Sequence, residues 1–247
     1  MAIASKAVGQ YLARYAEAEA DRLPACLHHD RAMVLPAYRE DWQSIRSALR
    51  AIEEDFLLIL VVNAPAADPQ TQALMADVCR SATRAVQRGN LHYLQLSEPF
   101  DVLLVDRCSD GNTISPRQGV GLARKIGADI ALALIHGGHV TSPLIYSTDA
   151  DVILPRGYFD HVPPTTDTAA ILFPFRHTAP ASIATASLLY EISLLYYTLG
   201  LKMAGSPYGY LSIGSVLAVD ASHYAGVRGF PRRNAGEDFY LLNKLAK

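Results

Sequence analysis

The sequence is short of positive charge: 22 lysines and arginines stand against 24 aspartates and glutamates, a formal net charge of −2. Binding a phosphate backbone needs a broad basic surface, so this balance excludes nucleic acid as the main partner. Cysteine is scarce as well. Cys26, Cys79 and Cys108 are odd in number, far apart and free of any CxxC spacing, which argues against a disulfide framework or a thiolate zinc site. They predict reduced thiols and a cytoplasmic protein. No long apolar run is free of charge. The nearest approach, ASIATASLLYEISLLYYTLGLKMAG (181–205), carries Glu191 near its middle, where lipid would make it costly, so the run predicts a buried or interfacial helix rather than a membrane span. The first residues, MAIASKAVGQYLARYAEAEADRL, lack the continuous apolar stretch of a secretion signal and alternate alanine with charge. They predict an N-terminal helical extension over 1–30.

What the sequence does have is apolar bulk: half of its 247 residues are hydrophobic and 19% are charged, enough to bury one large core around a sheet. Short apolar runs alternate with helical patterns, the mark of an α/β fold with a mainly parallel sheet flanked by helices. RAMVLPAY (31–38) predicts a first strand broken at Pro36, and DWQSIRSALRAIE (41–53) a helix with Ile45, Leu49 and Ile52 on one face. FLLILVVNAP (56–65) is apolar throughout, as a strand covered on both faces should be. A helix is expected near 69–88, followed by strands at LHYLQL and DVLLVDR. GVGLARKIGADIALALIHGG (119–138) predicts a helix closed by Gly137 and Gly138, and PLIYSTD the next strand. No linker or repeat divides the chain, so 31–247 is expected to be one domain.

In such sheets ligands gather outside the carboxyl ends of the strands. Three strands here end in Pro36-Ala37-Tyr38-Arg39-Glu40, in Asn63-Ala64-Pro65 and in Asp149-Ala150-Asp151, so these loops should converge. The last is the most telling. Two carboxylates one residue apart at a strand end can point the same way, and hard oxygen ligands of that kind suit Mg²⁺ or Mn²⁺, which complete their shell with water and substrate phosphates. A bare DxD is also what a solvated turn would show; its context decides.

That context is a resemblance. VLPAYRE (34–40), GVGLARKIG (119–127), STDADV (147–152), GSVLAVDASHYAGVRGFP (214–231) and GEDFYLLNKL (236–245) stand in the order found in family 2 glycosyltransferases of the GT-A fold, and from about residue 31 onward the chain resembles them. The resemblance implies a GT-A domain that transfers a sugar from a nucleoside-diphosphate sugar to an acceptor hydroxyl with Mn²⁺ or Mg²⁺. It implies that Pro36, Ala37, Tyr38, Glu40 and Asn63 hold the nucleoside, that Arg124 reaches the donor phosphates, that Asp149 orients ribose and sugar and also borders the metal, and that Asp151 ligates it. Two positions depart from the family: Asn63 stands where an aspartate is usual, and Lys125 where the helix motif has asparagine. The aspartate of the Gly-Glu-Asp run, Asp238, takes the place of the catalytic base of an inverting transfer, with Glu237 beside it. No QxxRW motif is present, which favours a single addition over a processive one.

The acceptor wall is expected from SPYGYLSIGS (206–215), where Tyr208 and Tyr210 offer flat faces, and the apolarity of 181–204 leaves room for a lipid-linked acceptor as well as a saccharide or small molecule. Peripheral contact with the inner face of a membrane would go with the lipid-linked case. Of the histidines in this half, His136, His139, His177 and His223, none forms an HxxH pair; His177, after LFPFR, is the first choice for a third metal ligand. The chain stops inside a helical pattern, which predicts that the natural protein continues. Two other classes stand beside the transferase. A nucleotidyltransferase would need a GGxGTR-type loop after the first strand, and PAYRE is not one. A catalytically degenerate GT-A domain that binds nucleotide or carbohydrate would explain Asn63 and Lys125, and donor hydrolysis separates it from an active enzyme.

Overall fold

The computed structural model describes residues 2–25, 28–160, 168–211 and 213–247. Strands β1 (Ala32–Ala37), β2 (Phe56–Asn63), β3 (Arg84–Arg88), β4 (Leu91–Gln95), β5 (Phe100–Arg107), β6 (Leu144–Ser147), β7 (Ala170–Leu172) and β8 (Leu217–Asp220) form one sheet in the order β3-β4-β5-β2-β1-β6-β8-β7. The central four, β5-β2-β1-β6, run parallel, and both flanks are antiparallel. The expected mainly parallel sheet therefore holds for the centre only.

The parallel strands are apolar throughout because both of their faces are covered. Val34, Ile59 and Val61 face the layer built by α4 (Gly119–His136), while Met33, Leu35, Leu58 and Leu60 face α2 (Trp42–Leu49) and α3 (Pro69–Arg80). Helix α4 lies close on the sheet because Gly127 has no side chain: a Cβ there would come within 2.4 Å of Val34 Cγ1. Its outer side is covered in turn by α1 (Ala2–Arg14) and the short turn at Ala18–Asp21, and Tyr224 of α6 (Ala221–Gly226) reaches its Asp129, which is why α4 is buried around nearly its whole circumference. The N-terminal segment thus adds Val8 and Tyr11 to the same core rather than standing apart from it.

Three expectations are corrected. The helix foreseen near 69–88 ends at Arg80, and Arg84–Arg88 is an edge strand paired antiparallel with Leu91–Gln95 across a tight turn at Gly89, whose φ of +62° suits glycine. The first strand does not break at Pro36 but runs through it to Ala37. Val34 offers its carbonyl toward β6, to Thr148 N–H at 3.0 Å, and Pro36 shares that parity; but the β1–β6 ladder ends at Val34 and Ser147, so the N–H that proline lacks has no strand to meet. Finally, of the two placements expected for 181–205, the buried one is corrected: α5 (Ala184–Met203) has no buried residue, which leaves the interfacial one.

Among the described residues no helix is long and apolar enough to cross a membrane. Cys79 and Cys108 are free thiols; Cys26 lies outside the described residues.

Candidate functional site

The sheet opens where β1 and β6 part company beyond Val34 and Ser147, and this is also where the chain order reverses from β2 on one side of β1 to β6 on the other. Such a switch point leaves a crevice at the carboxyl ends of the strands. Here it is a cleft of about 500 Å³ whose walls include Pro36, Tyr38, Glu40, Asn63, Asp149 and Asp151. Ala37, assigned to the same wall, is instead turned into the core beneath and is 1% exposed.

The loop after β1 is set by groups that the sequence reading passed over. Arg39 adopts a left-handed backbone (φ 58°), unusual for a side chain that is not glycine, and is held there from several sides. Its Nε donates to Asp68 Oδ1 at 2.9 Å, its backbone N–H to Thr71 Oγ1 at 3.2 Å, and its carbonyl accepts from Gln70 Nε2 at 2.6 Å. Asp68 is also the N-cap of α3, accepting from Thr71 N–H at 2.9 Å, and the Thr71 hydrogen bonds hold its carboxyl below the usual range. The pinned loop presents the Tyr38 ring to the cleft, with the Arg39 guanidinium 5.1 Å from its centre.

Across the crevice, Ala150 turns into the core, leaving Asp149 and Asp151 on its other side. Glu40 approaches from the β1 loop. Burial, then the charges of Asp151 and Asp149, push its carboxyl above the ordinary range. Three acids at one cleft edge make it cation-attracting. Among the described residues no group of three or more His, Cys, Asp or Glu is placed so that together they could hold a metal ion. A divalent ion here would rest on Asp151 and the free oxygen of Asp149, with the rest of its shell from water and a diphosphate, a donor set that suits Mg²⁺ or Mn²⁺.

Arg124 does not point into the cleft toward a phosphate, as the resemblance implied. It is buried in α4 with every guanidinium nitrogen engaged: Nη2 donates to Asp149 Oδ1 at 2.8 Å, Nε to Glu237 Oε1 at 3.0 Å, and Nη1 to Ser147 Oγ at 2.6 Å and the Gly214 carbonyl at 2.9 Å. Burial pulls its pKa down, but the Asp149 and Glu237 carboxylates outweigh it and hold the pKa above the ordinary value. Arg124 is therefore a positioning residue that ties the first aspartate of DxD to the start of α7 (Glu237–Leu245). Lys125 points the other way, into a buried network with Tyr11 OH at 2.7 Å, the Tyr15 carbonyl at 3.0 Å and Asp129 Oδ2 at 2.7 Å. Lys125 therefore serves the N-terminal segment, not the cleft.

Glu237 is 4% exposed and spent on Arg124. Asp238, in the first turn of α7, accepts from Phe239 N–H at 2.7 Å, has no ion-pair partner among the described residues, and lies outside the lining of the cleft. Beyond Asp149 and Asp151 opens a second, larger cavity of about 1010 Å³, walled by Val152, Ile153, Phe173, Phe175, Arg176 and His177 among others. The two cavities meet at the aspartate pair. Tyr208 and Tyr210 are in the lining of neither, and Tyr210 OH is tied to Asn243 Oδ1 at 3.0 Å; the Phe173–His177 segment walls the larger cavity. Of His136, His139, His177 and His223, among the described residues, His177 alone shares a cavity lining with Asp149 and Asp151. His139 and His223 sit at the opposite, amino-terminal edge of β6, where Asp220 holds His223 Nδ1 at 2.8 Å, and His136 is exposed at the end of α4.

No family model matches this sequence, and no curated protein matches it significantly.

Proposed function

We propose that the chain is a metal-dependent glycosyltransferase of the GT-A type, taking a nucleoside-diphosphate sugar in the crevice between β1 and β6 and passing the sugar to an acceptor hydroxyl in the larger cavity. The observation that carries this reading is the meeting of the two cavities at Asp149 and Asp151. A transfer between two substrates needs two sites that share one edge, and the shared edge is where a diphosphate with its cation would lie. In this reading the Tyr38 ring and Asn63 hold the nucleoside, Asp149 orients the sugar end, and Asp151 faces the cation. Arg124 holds Asp149 still and takes one of its oxygens, so the other remains for substrate. The bound ion supplies neutralisation of the charge that develops on the departing diphosphate. Asp238 is the proposed base: its neighbour Glu237 is locked in an ion pair, whereas Asp238 has no ion-pair partner among the described residues and stands in the first turn of α7.

Incubation of the purified protein with nucleotide sugars and Mn²⁺ tests the reading through slow transfer of the sugar to water. Metal-dependent hydrolysis of at least one donor is expected; absence of turnover across a panel of uridine, guanosine, thymidine and cytidine diphosphosugars refutes an active transferase. One observation favours a second reading, a non-catalytic domain that binds nucleotide or carbohydrate: Asp238 is outside the lining of both cavities. Metal-dependent donor binding without hydrolysis is the outcome that this reading requires.

A further inference from the structure

Helix α5 is built inside out. Its least exposed positions are Ser187, Glu191, Leu194, Thr198 and Leu201, spaced four and three apart so that they form one stripe against the protein, and three of the five are polar. The outward positions are the large apolar ones. Leu188, Ile192, Leu195, Tyr196, Tyr197 and Leu199 are each more than half exposed, and exposure reaches 82% at Met203. Together such side chains offer on the order of 1,000 Å² of surface, well beyond the patch an ordinary monomer leaves in water.

The shape of this surface says what covers it. At about 100° per residue, the exposed apolar positions sweep about 220° of the helix circumference. A single second helix, whether from a partner or from a second copy of this chain, packs against a stripe of about 100° and would leave the remainder wet. A lipid boundary wraps the whole arc. The polar side that an interfacial helix needs is supplied by the inward stripe, where Glu191, the only acid of α5, lies beside His177 with its Oε2 3.7 Å from Nδ1. Lys202 is exposed in the last turn, and Arg176 is exposed on the segment that meets the helix, so the fully exposed charges bordering the apolar arc are basic, while the acid Glu191 is half-buried beside His177. Tyr190, Tyr196 and Tyr197 carry the hydroxyl tips that favour a boundary between acyl chain and water.

We propose that α5 lies flat in the headgroup–acyl boundary of an anionic lipid surface and seats the protein there. The larger cavity abuts the same helix, since the His177 ring in its wall stacks edge-on against Tyr190 at 5.8 Å, so docking brings that cavity to the headgroups.

The test is flotation of the purified protein with vesicles of phosphatidylcholine and phosphatidylglycerol, compared with phosphatidylcholine alone. The Leu195→Glu/Leu199→Glu variant changes two side chains that are each 53% exposed, so it should fold, which its thermal unfolding verifies. The wild type should float with the anionic vesicles, less with the neutral ones, and the variant should lose roughly tenfold or more of that binding. Failure of the wild type to float, or equal flotation of the variant, overturns the proposal. So does a wild-type dimer that the variant breaks without any vesicle binding, because a second copy would then cover α5. Docking does not rest on the transferase reading, and Mn²⁺-dependent nucleotide binding by the same samples reports that reading separately.

Discussion

Replacing Arg124 with methionine should cost this protein much of its stability and its donor site together. Methionine fills a similar length of space but removes the cation between two carboxylates. Glu237, with 6% of its side chain exposed, would be left buried and unpaired, a change that typically costs 3–5 kcal/mol, on the order of half a domain's stability. Asp149 is 37% exposed, so water would screen it and it adds no more than about 1 kcal/mol. Ser147 Oγ and the Gly214 carbonyl also lose their donor, which keeps the total toward the upper end of that range. Urea unfolding reads the loss, and Glu237→Gln in the same background reads its origin. A neutral amide needs no cation, so the double variant should recover at least about 1 kcal/mol relative to the sum of the single changes. The Arg124→Met protein that remains folded should bind nucleoside diphosphate and Mn²⁺ more weakly, because Asp149 has lost its anchor. A loss below about 1 kcal/mol, or additive single changes, would show that Arg124 does not hold this junction.

Asp129→Ala should destabilise by about 3–5 kcal/mol and release the N-terminal helix to limited proteolysis, since it strips Lys125, the Tyr11 and Tyr224 hydroxyls and the Glu17 N–H of one shared, fully buried acceptor. Glu40→Gln should raise the melting temperature of the metal-free protein at pH 7–8 by on the order of 1 °C, after allowance for solvent screening. Because Glu40 titrates higher in the fold than in the unfolded chain, its charged form opposes folding above that range and not below it; the gain should vanish near pH 4, and a gain that persists there refutes the assignment. Asp238→Asn should leave folding and metal-dependent donor binding intact while lowering transfer to an accepted acceptor, or hydrolysis in its absence, on the order of a hundredfold; a rate within a few-fold of wild type reduces Asp238 to a helix-terminal acid.

The sheet centre was legible because burial on both faces writes continuous apolar runs into β1, β2 and β5, and the strand-end loops followed from the geometry of parallel strands. The cleft residues Pro36, Tyr38, Glu40, Asn63, Asp149 and Asp151 come together for that reason. Edge strand β3 was hidden because RAVQR is exposed and charged, as edges often are, and so lacks the apolar signal of a strand; the Gly89-Asn90 pair was its one local mark. Arg124 was misread because its partner Glu237 is 113 residues away, and no local pattern tells a buried ion pair from a free cation in a helix. Ala37 went wrong by a single alternation of the strand, which turns a side chain from cleft to core. The exposure of α5 left a trace, since Ser187, Glu191 and Thr198 share one helical face, but a polar stripe facing inward contradicts the usual rule that the apolar side is the buried one.

In the proposed site Asp151 faces a divalent cation bound together with a nucleoside diphosphate. Calorimetric titration of uridine and guanosine diphosphates into wild type and Asp151→Ala, each with and without Mn²⁺, tests it directly. Mn²⁺ should tighten binding of at least one diphosphate to the wild type by roughly tenfold or more, through the shared shell of carboxylate and phosphate oxygens. Asp151→Ala, an exposed loop change costing no more than about 0.5 kcal/mol of stability, should abolish that gain. Equal Mn²⁺-dependent affinity in the two proteins would contradict it.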